Sequence, residues 1–133
     1  MKKGFTLIEL LAVIMILGII SLIAIPVVNN IIEESRTGAV SRSAENYITA
    51  VEQKVATSRM KADGIEDGEY TVAELNVLGV KVKGTTPDSG TVTIADGSVT
   101  QATLLYNDYR YVIVNNQANV IKVNRENNGQ QPK

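Results

Sequence analysis

The sequence predicts an α+β protein in which a long N-terminal α-helical stem packs on a small antiparallel β-sheet head. The 19 residues from Leu10 to Val28 carry no charge. Residues 29–62 then place apolar side chains at spacings of three and four, as an amphipathic helix does. The second half of the chain consists of short alternating segments separated by Gly, Asn and Asp, which is typical of strands and turns. A length of 133 residues fits one modest domain with an appendage.

The apolar segment is long enough to cross a bilayer, because about 20 such residues span the hydrocarbon core. Its only polar side chain between Leu10 and Val28 is Ser21. Lys2 and Lys3 precede it, and basic residues favour the cytoplasmic side, so the rest of the chain is expected outside. No Ala-x-Ala pattern follows it, and it exceeds the usual core of a cleaved secretory signal. We therefore expect the segment to be retained as a membrane-spanning helix.

Glu9 is an unexpected residue at the front of this segment. A charge at the bilayer centre costs about 2.5 to 3.5 kcal/mol, and less near the interface. A cut after Gly4 would create an α-amine on Phe5, one helical turn before Glu9. An amine and a carboxylate about 4 Å apart attract by roughly 4 kcal/mol at an effective dielectric of 20. Pairing of Glu9 with such an amine would offset the cost of its burial.

The string Lys2-Lys3-Gly4-Phe5-Thr6-Leu7-Ile8-Glu9, followed by the apolar run, resembles the processing site of type IV prepilins. The resemblance implies the pilin fold and cleavage by a prepilin peptidase between Gly4 and Phe5. It also implies N-methylation of Phe5. In that family the glutamate at the position of Glu9 attracts the N-terminal amine of a neighbouring subunit during assembly.

The resemblance implies a structural subunit of a type IV pilus, which polymerises through its N-terminal helix into an extracellular filament. Such filaments serve adhesion, aggregation, twitching motility or DNA uptake. The implied partners are copies of the chain itself, the peptidase, an assembly platform protein and ATPase, minor pilins and the membrane of the precursor. Two alternatives stay open: a pseudopilin of a type II secretion or competence system, and a single-pass membrane-anchored binding module.

The expected parts follow in order along the chain. Residues 1–4 form a removable leader, 5–28 the membrane and filament-core helix, 29–62 the amphipathic half of the stem, 63–123 the head and 124–133 a frayed polar tail. Within the first helix, Gly18 and Pro26 weaken helical structure and predict a mild kink near Pro26. The resemblance implies that the segment between these two positions can melt in a filament.

The head is expected to start with a loop over residues 62–69. Thr71 and Glu74 have capping-box spacing and predict a short helix that ends near Gly79. Asp96-Gly97 predicts a hairpin between residues 91–94 and 98–100. Residues 102–106, 109–114 and 119–123 predict further strands. A head of about 70 residues forms a thin core, so its sheet should pack on the face of the stem that carries Tyr47, Val51 and Val55.

The composition argues against several classes of function. Without cysteine or histidine, disulfides, thiolate or imidazole metal sites and Ser-His-Asp catalysis are excluded. With 13 basic and 14 acidic residues, no excess of positive charge favours direct nucleic acid binding. We expect no enzymatic activity and no cofactor.

Two weaker candidate sites remain in the head. An acidic loop offers oxygen ligands to calcium, although solvation of the loop is the simpler interpretation. Three tyrosines and an arginine offer an adhesive patch, although cross-strand packing of the rings is the simpler interpretation. The residues of the first are Asp63, Glu66, Asp67 and Glu69, and those of the second are Tyr106, Tyr109, Arg110 and Tyr111.

Overall fold

The computed structural model describes residues 3–62 and 64–123. Helix α1 runs from Leu7 to Arg59, and helix α2 from Val72 to Val77. Five strands complete the fold: β1 Gly68–Thr71, β2 Ser89–Ala95, β3 Ser98–Tyr106, β4 Tyr109–Val114 and β5 Gln117–Lys122. The predicted α+β class, a long N-terminal helix packed on an antiparallel sheet, is confirmed. The chain divides into two compact units, Met1–Arg36 and Thr37–Lys133.

The first unit consists of the front part of α1. Its apolar side chains are exposed throughout, from Phe5 to Ile32. Over the described residues, α1 is the one helix that is long and apolar enough to cross a membrane. Gly18 and Pro26 both lie within continuous helix, so a kink or melting in an assembled state stays a prediction.

The second unit contains the hydrophobic core, which lies between the rear part of α1 and one face of the sheet. The helix contributes Ala44, Tyr47, Val51 and Val55, at spacings of three or four residues. The sheet contributes the inward-facing residues Val92, Ile94, Ala102, Leu104, Tyr106 and Tyr111. The predicted contact face of the stem is therefore confirmed, because Tyr47, Val51 and Val55 are almost fully buried.

The sheet is antiparallel throughout, with strands in the order β1-β2-β3-β4-β5. Short turns with left-handed residues join its last four strands. Asp96 and Gly97 have φ of 53° and 82°, and Asn115 and Asn116 have 52° and 63°. These values fit tight turns that match the twist of the flanking strands. The hairpin predicted at Asp96-Gly97 is confirmed.

Four strands differ in their bounds from the sequence-based expectation. Strand β2 runs from Ser89 to Ala95 instead of over 91–94. Residues 98–106 form one strand instead of two. Thr100 is an extra residue within it, because Gln101 pairs with Thr93 and Val99 pairs with Ile94. Gly68–Thr71 is a strand that pairs with β2, although much of it was expected in a loop. Strand β5 begins at Gln117, two residues earlier than expected. The polar tail 124–133 lies outside the described residues.

Gly90 shows why β2 and β3 approach closely at one point. A Cβ at this position would lie 2.1 Å from the carbonyl oxygen of Thr103, and its φ is 144°. No other residue type fits this combination of contact and backbone conformation without displacement of a strand.

Candidate functional site

The start of α1 is fixed by reciprocal hydrogen bonds between Thr6 and Glu9. The Thr6 hydroxyl accepts a bond from the Glu9 N–H at 3.3 Å, and Glu9 Oε2 accepts one from the Thr6 N–H at 2.9 Å. The Thr6 carbonyl accepts the first helical bond, from the Leu10 N–H at 3.3 Å. This geometry is a capping box, in which the side chain of each of two residues accepts a hydrogen bond from the backbone N–H of the other. It gives Glu9 a role within its own chain.

Sequence reasoning missed this role of Glu9, although the signal was present. Thr6-x-x-Glu9 has the same spacing as Thr71-x-x-Glu74, which did predict the start of α2. The second box has matching geometry: Glu74 Oε2 accepts from the Thr71 N–H at 2.7 Å, and the Thr71 hydroxyl accepts from the Glu74 N–H at 3.2 Å. The Thr71 N–H lowers the pKa of the Glu74 carboxyl. Because Glu9 lies in an apolar segment, the sequence-based interpretation rested on its charge and not on its spacing from Thr6.

The bond between Gly4 and Phe5 lies outside the helix, because the capping box begins the helix after Thr6. Residues 3–6 are not helical. Phe5 is 93% exposed. A Cβ added to Gly4 would meet no atom within 4 Å. Packing within the chain therefore does not require glycine at position 4, and the peptide bond after it is uncovered.

Behind the capping box, α1 presents a continuous apolar surface. The large side chains from Leu10 to Ile20 are each more than half exposed. Ser21 does not interrupt this surface with an unsatisfied hydroxyl, because its Oγ donates to the Leu17 carbonyl at 2.7 Å. A Cβ at Gly18 would meet open space. This segment needs either lipid or another apolar surface to cover it.

The acidic loop of the head holds the β2–β3 turn. Asp67 pairs with the Arg59 guanidinium and accepts bonds from the backbone N–H groups of Asp96 at 2.9 Å and Gly97 at 3.3 Å. The bond from Asp96, followed by the contacts with Arg59 and Gly97, lowers the pKa of the Asp67 carboxyl. We call this arrangement the hairpin clamp.

The hairpin clamp uses the carboxylate of Asp67, one of the four candidate calcium ligands. Among the residues that the structure describes, no group of three or more acidic side chains is arranged to hold a metal ion. Glu66 and Glu69 are exposed and do not join such a group, and Asp63 lies outside the described residues.

The three tyrosines of the sheet are core residues. Tyr106, Tyr109 and Tyr111 are all buried, and Tyr106 pairs with Tyr109 across β3 and β4. Arg110 alone of the candidate patch is exposed. The simpler interpretation, cross-strand packing, is therefore confirmed. Burial raises the pKa of the Tyr47 hydroxyl to about 12 and also raises that of Tyr106.

The fold and the N-terminal site define a class of protein: a helical stem with an exposed apolar front, a capped start and a small antiparallel head. A family model for the prokaryotic N-terminal methylation motif matches residues 1–25. The type IV major fimbrial protein FimA of Dichelobacter nodosus is 42% identical over 69 residues. This match covers 52% of the chain and 40% of that relative. No solved structure matches the chain significantly. Together, the motif and the fimbrial relative support a type IV pilin.

Proposed function

We propose that the chain is a structural subunit of a type IV pilus, which polymerises through its N-terminal helix into an extracellular filament. One observation carries the proposal: a methylation motif matches residues 1–25, which include the front of an apolar helix whose side chains are exposed. A solitary chain outside a membrane would leave this surface in water. The same helix in other copies of the chain can cover this surface by packing against it.

Before assembly, the precursor spans the membrane once with its N-terminus in the cytoplasm. A prepilin peptidase removes residues 1–4 by cleavage between Gly4 and Phe5 and methylates the amine of Phe5. The exposed, non-helical backbone around this bond supports the assignment, because a protease needs extended and accessible substrate. Residues 5–28 then form the filament core, 29–62 the amphipathic half of the stem, 63–123 the outer head and 124–133 its tail.

The free energy of assembly comes from the change of solvent. Lipid tails are as apolar as leucine, so they give stems no hydrophobic reason to associate. Extraction from the bilayer places about 19 apolar positions in contact with water, each large side chain worth roughly 1.5 to 3 kcal/mol on burial. The sum, before ordering costs, is tens of kcal/mol. Stem-to-stem packing recovers this free energy, and Gly18 and Pro26 let the helix adapt by a kink or local melting.

Glu9 sets the axial alignment of neighbouring stems in this proposal. Cleavage creates a positive amine on Phe5, and a charge-assisted hydrogen bond to a carboxylate is stronger than one from a neutral N–H. The amine of a neighbouring subunit therefore competes with the Thr6 N–H for Glu9. The capping box keeps the carboxylate satisfied until that amine arrives.

The proposed partners are other copies of the chain, minor pilins, the peptidase, and an assembly platform protein with its ATPase. The filament serves adhesion, aggregation, twitching motility or DNA uptake.

Mass spectrometry of sheared surface material tests the proposal. We expect fibres whose subunits begin at methylated Phe5. A chain that stays in the membrane as a monomer with Met1 intact would instead indicate an anchored binding module. Processed subunits that never reach the surface as fibres would indicate a pseudopilin of a secretion or competence system.

A further inference from the structure

The carbonyl group of Gly4 lies just outside helix α1. In an α-helix each carbonyl accepts a hydrogen bond from the N–H four residues later. The first carbonyl used in this way belongs to Thr6, which accepts from the Leu10 N–H at 3.3 Å. The carbonyls of Gly4 and Phe5 accept no hydrogen bond from the residues that the structure describes. The carbonyl of the Gly4–Phe5 bond is therefore not engaged by the helix.

Thr6 determines where α1 begins. The Thr6 hydroxyl accepts a bond from the Glu9 N–H, and the Thr6 N–H donates to Glu9 Oε2. These two bonds form together when Thr6 is the N-cap, the residue just before the helix, because Glu9 is then the third helical residue. The side chains of residues 3–32 are all exposed, so tertiary packing does not fix the helix start. The local capping box fixes it instead.

Without this cap, the nearest upstream residue that suits the start of a helix is Gly4. Glycine ranks close to threonine as an N-cap and far above apolar residues. A helix capped by Gly4 would include Phe5, and the Gly4 carbonyl would accept a bond from the Ile8 N–H. That bond would occupy the carbonyl oxygen that a peptidase must polarise with its own donors. The position of the helix start therefore controls how readily this peptide bond is cleaved.

We propose that Thr6 is a positioning residue for the cleavage between Gly4 and Phe5. Its cap starts the helix at Leu7 and keeps the Gly4 carbonyl free until the peptidase binds. Hydrolysis then adds water across the peptide bond, which leaves a carboxylate on Gly4 and an amine on Phe5. This inference rests on the proposed function, because it concerns the same reaction. It adds a residue whose side chain acts on that reaction through the helix start.

Cleavage of the full chain in detergent by a purified prepilin peptidase tests this role, with the products identified by mass spectrometry. Thr6→Ala and Thr6→Val remove the hydroxyl, whereas Thr6→Ser and Thr6→Asp keep a capping oxygen. We expect the first two variants to raise KM about two- to fivefold with kcat unchanged, because the cleavable fraction of the substrate falls. The other two should match the unaltered chain.

A relocated capping box gives a stronger test. Lys3→Ser combined with Thr6→Glu recreates the same spacing three residues upstream, so that Gly4 and Phe5 become the first two helical residues. We expect cleavage to slow at least about tenfold, and the Ile8 N–H to become protected from hydrogen exchange as it bonds to the Gly4 carbonyl. The matched control, Lys3→Ala with Thr6→Glu, carries the same charges without the new cap. It should lose no more than Thr6→Ala does.

An unchanged KM for Thr6→Ala, with normal cleavage of the unaltered chain, would overturn the inference and leave the proposed function intact. Normal cleavage of Thr6→Val with failure of Thr6→Asp would also overturn it, because the peptidase would then recognise the shape of the side chain. An unaltered chain that is not cleaved after Gly4 would overturn both proposals. Thr71→Ala removes the matching cap of α2 and should be cleaved normally. Slow cleavage of that variant would contradict a local effect at α1.

Discussion

At the scale of single residues, Glu9 combines a structural role with a proposed functional one. Its Oε2 accepts the Thr6 N–H at 2.9 Å within the chain. Its negative charge is the property that the proposed amine contact needs. Glutamine keeps an acceptor oxygen for the cap and removes the charge, so one substitution separates the two roles.

We predict that Glu9→Gln leaves membrane insertion and cleavage after Gly4 unchanged but lowers filament yield at least about tenfold. A tenfold loss corresponds to about 1.4 kcal/mol, a modest part of the roughly 4 kcal/mol attraction between amine and carboxylate. Filament yield is measured by immunoblotting of sheared and cell-bound fractions. Glu9→Ala should behave at least as severely, because it removes the cap as well.

Glu69→Gln serves as the matched control, because it neutralises an exposed carboxylate in the head. Its filament yield should equal that of the unaltered chain. Wild-type yield from Glu9→Gln would leave helix capping as the sole role of Glu9.

Two buried hydroxyls give a second prediction at this scale. The hydroxyls of Tyr47 and Tyr106 make no hydrogen bond to any residue that the structure describes. An unsatisfied buried hydroxyl costs roughly 1 to 3 kcal/mol. Tyr106→Phe should therefore leave the free energy of unfolding unchanged or raise it by about 1 kcal/mol, as measured by urea denaturation of the full chain in detergent.

Tyr70→Phe is the matched comparison, because the Tyr70 hydroxyl donates to the Glu66 carbonyl at 3.0 Å. Loss of this bond should lower the free energy of unfolding by about 0.5 to 1.5 kcal/mol. A larger loss for Tyr106→Phe than for Tyr70→Phe would show that the Tyr106 hydroxyl has a partner.

At the scale of secondary-structure elements, two carboxylates attach the β2–β3 hairpin to α1 and the loop after it. Asp67 holds the turn through Asp96 and Gly97, as described for the hairpin clamp. Glu52, on α1, accepts a bond from the Val99 N–H at 3.0 Å. In a chain without cysteine, such polar contacts act where a covalent bridge is impossible. The hairpin should therefore loosen when Asp67 is protonated.

We predict an acid-sensitive stability that depends on Asp67. Its pKa is lowered from the ordinary value of 3.8, so the unfolded chain binds a proton more readily than the folded one. The stabilisation is present above pH 3.8 and is lost as pH falls through the lowered folded pKa. Asp67→Asn should lower the melting temperature at pH 7, and the difference from the unaltered chain should shrink below about pH 4.

Thermal unfolding followed by circular dichroism from pH 7 to pH 2 measures this difference. The pKa of Glu74 is also lowered. Glu74 is present in both the Asp67→Asn variant and the unaltered chain, so its contribution to the pH dependence cancels in the comparison. A melting difference that stays constant down to pH 2 would contradict the assignment.

At the scale of the whole molecule, charge and apolar surface are separated along the chain. Side-chain charges nearly cancel, with a formal net charge of −1, while the apolar residues concentrate at the front. The proposed filament would then depend mainly on burial of the stems, with charge pairs for alignment.

This separation predicts how filaments respond to solvent. In 1 M salt the screening length falls to about 3 Å, which weakens exposed charge pairs but not apolar packing. We expect filaments to sediment intact in 1 M sodium chloride and to release monomers in detergent above its critical micelle concentration. Release by salt alone, measured by sedimentation and immunoblotting, would indicate that charged contacts dominate the assembly.

The sequence by itself determined the features that depend on local spacing. The apolar run, the buried face with Tyr47, Val51 and Val55, the start of α2 at Thr71 and the turn at Asp96-Gly97 all follow from neighbours within a few residues. The N-terminal motif likewise lies within one short stretch. Helix periodicity and turn chemistry act over that range, which explains why these predictions hold.

Only the tertiary structure decided which distant segments meet. Asp67 bonds to residues 29 and 30 positions away, and β1 is a strand because β2 lies beside it. The continuity of β3 likewise depends on its pairing with β2, in which Thr100 of β3 is an extra residue between the Thr93–Gln101 and Ile94–Val99 pairs. These outcomes depend on chain topology, because each segment could pair with several distant segments. The residue spacing within a short stretch of sequence does not show which of these pairings forms.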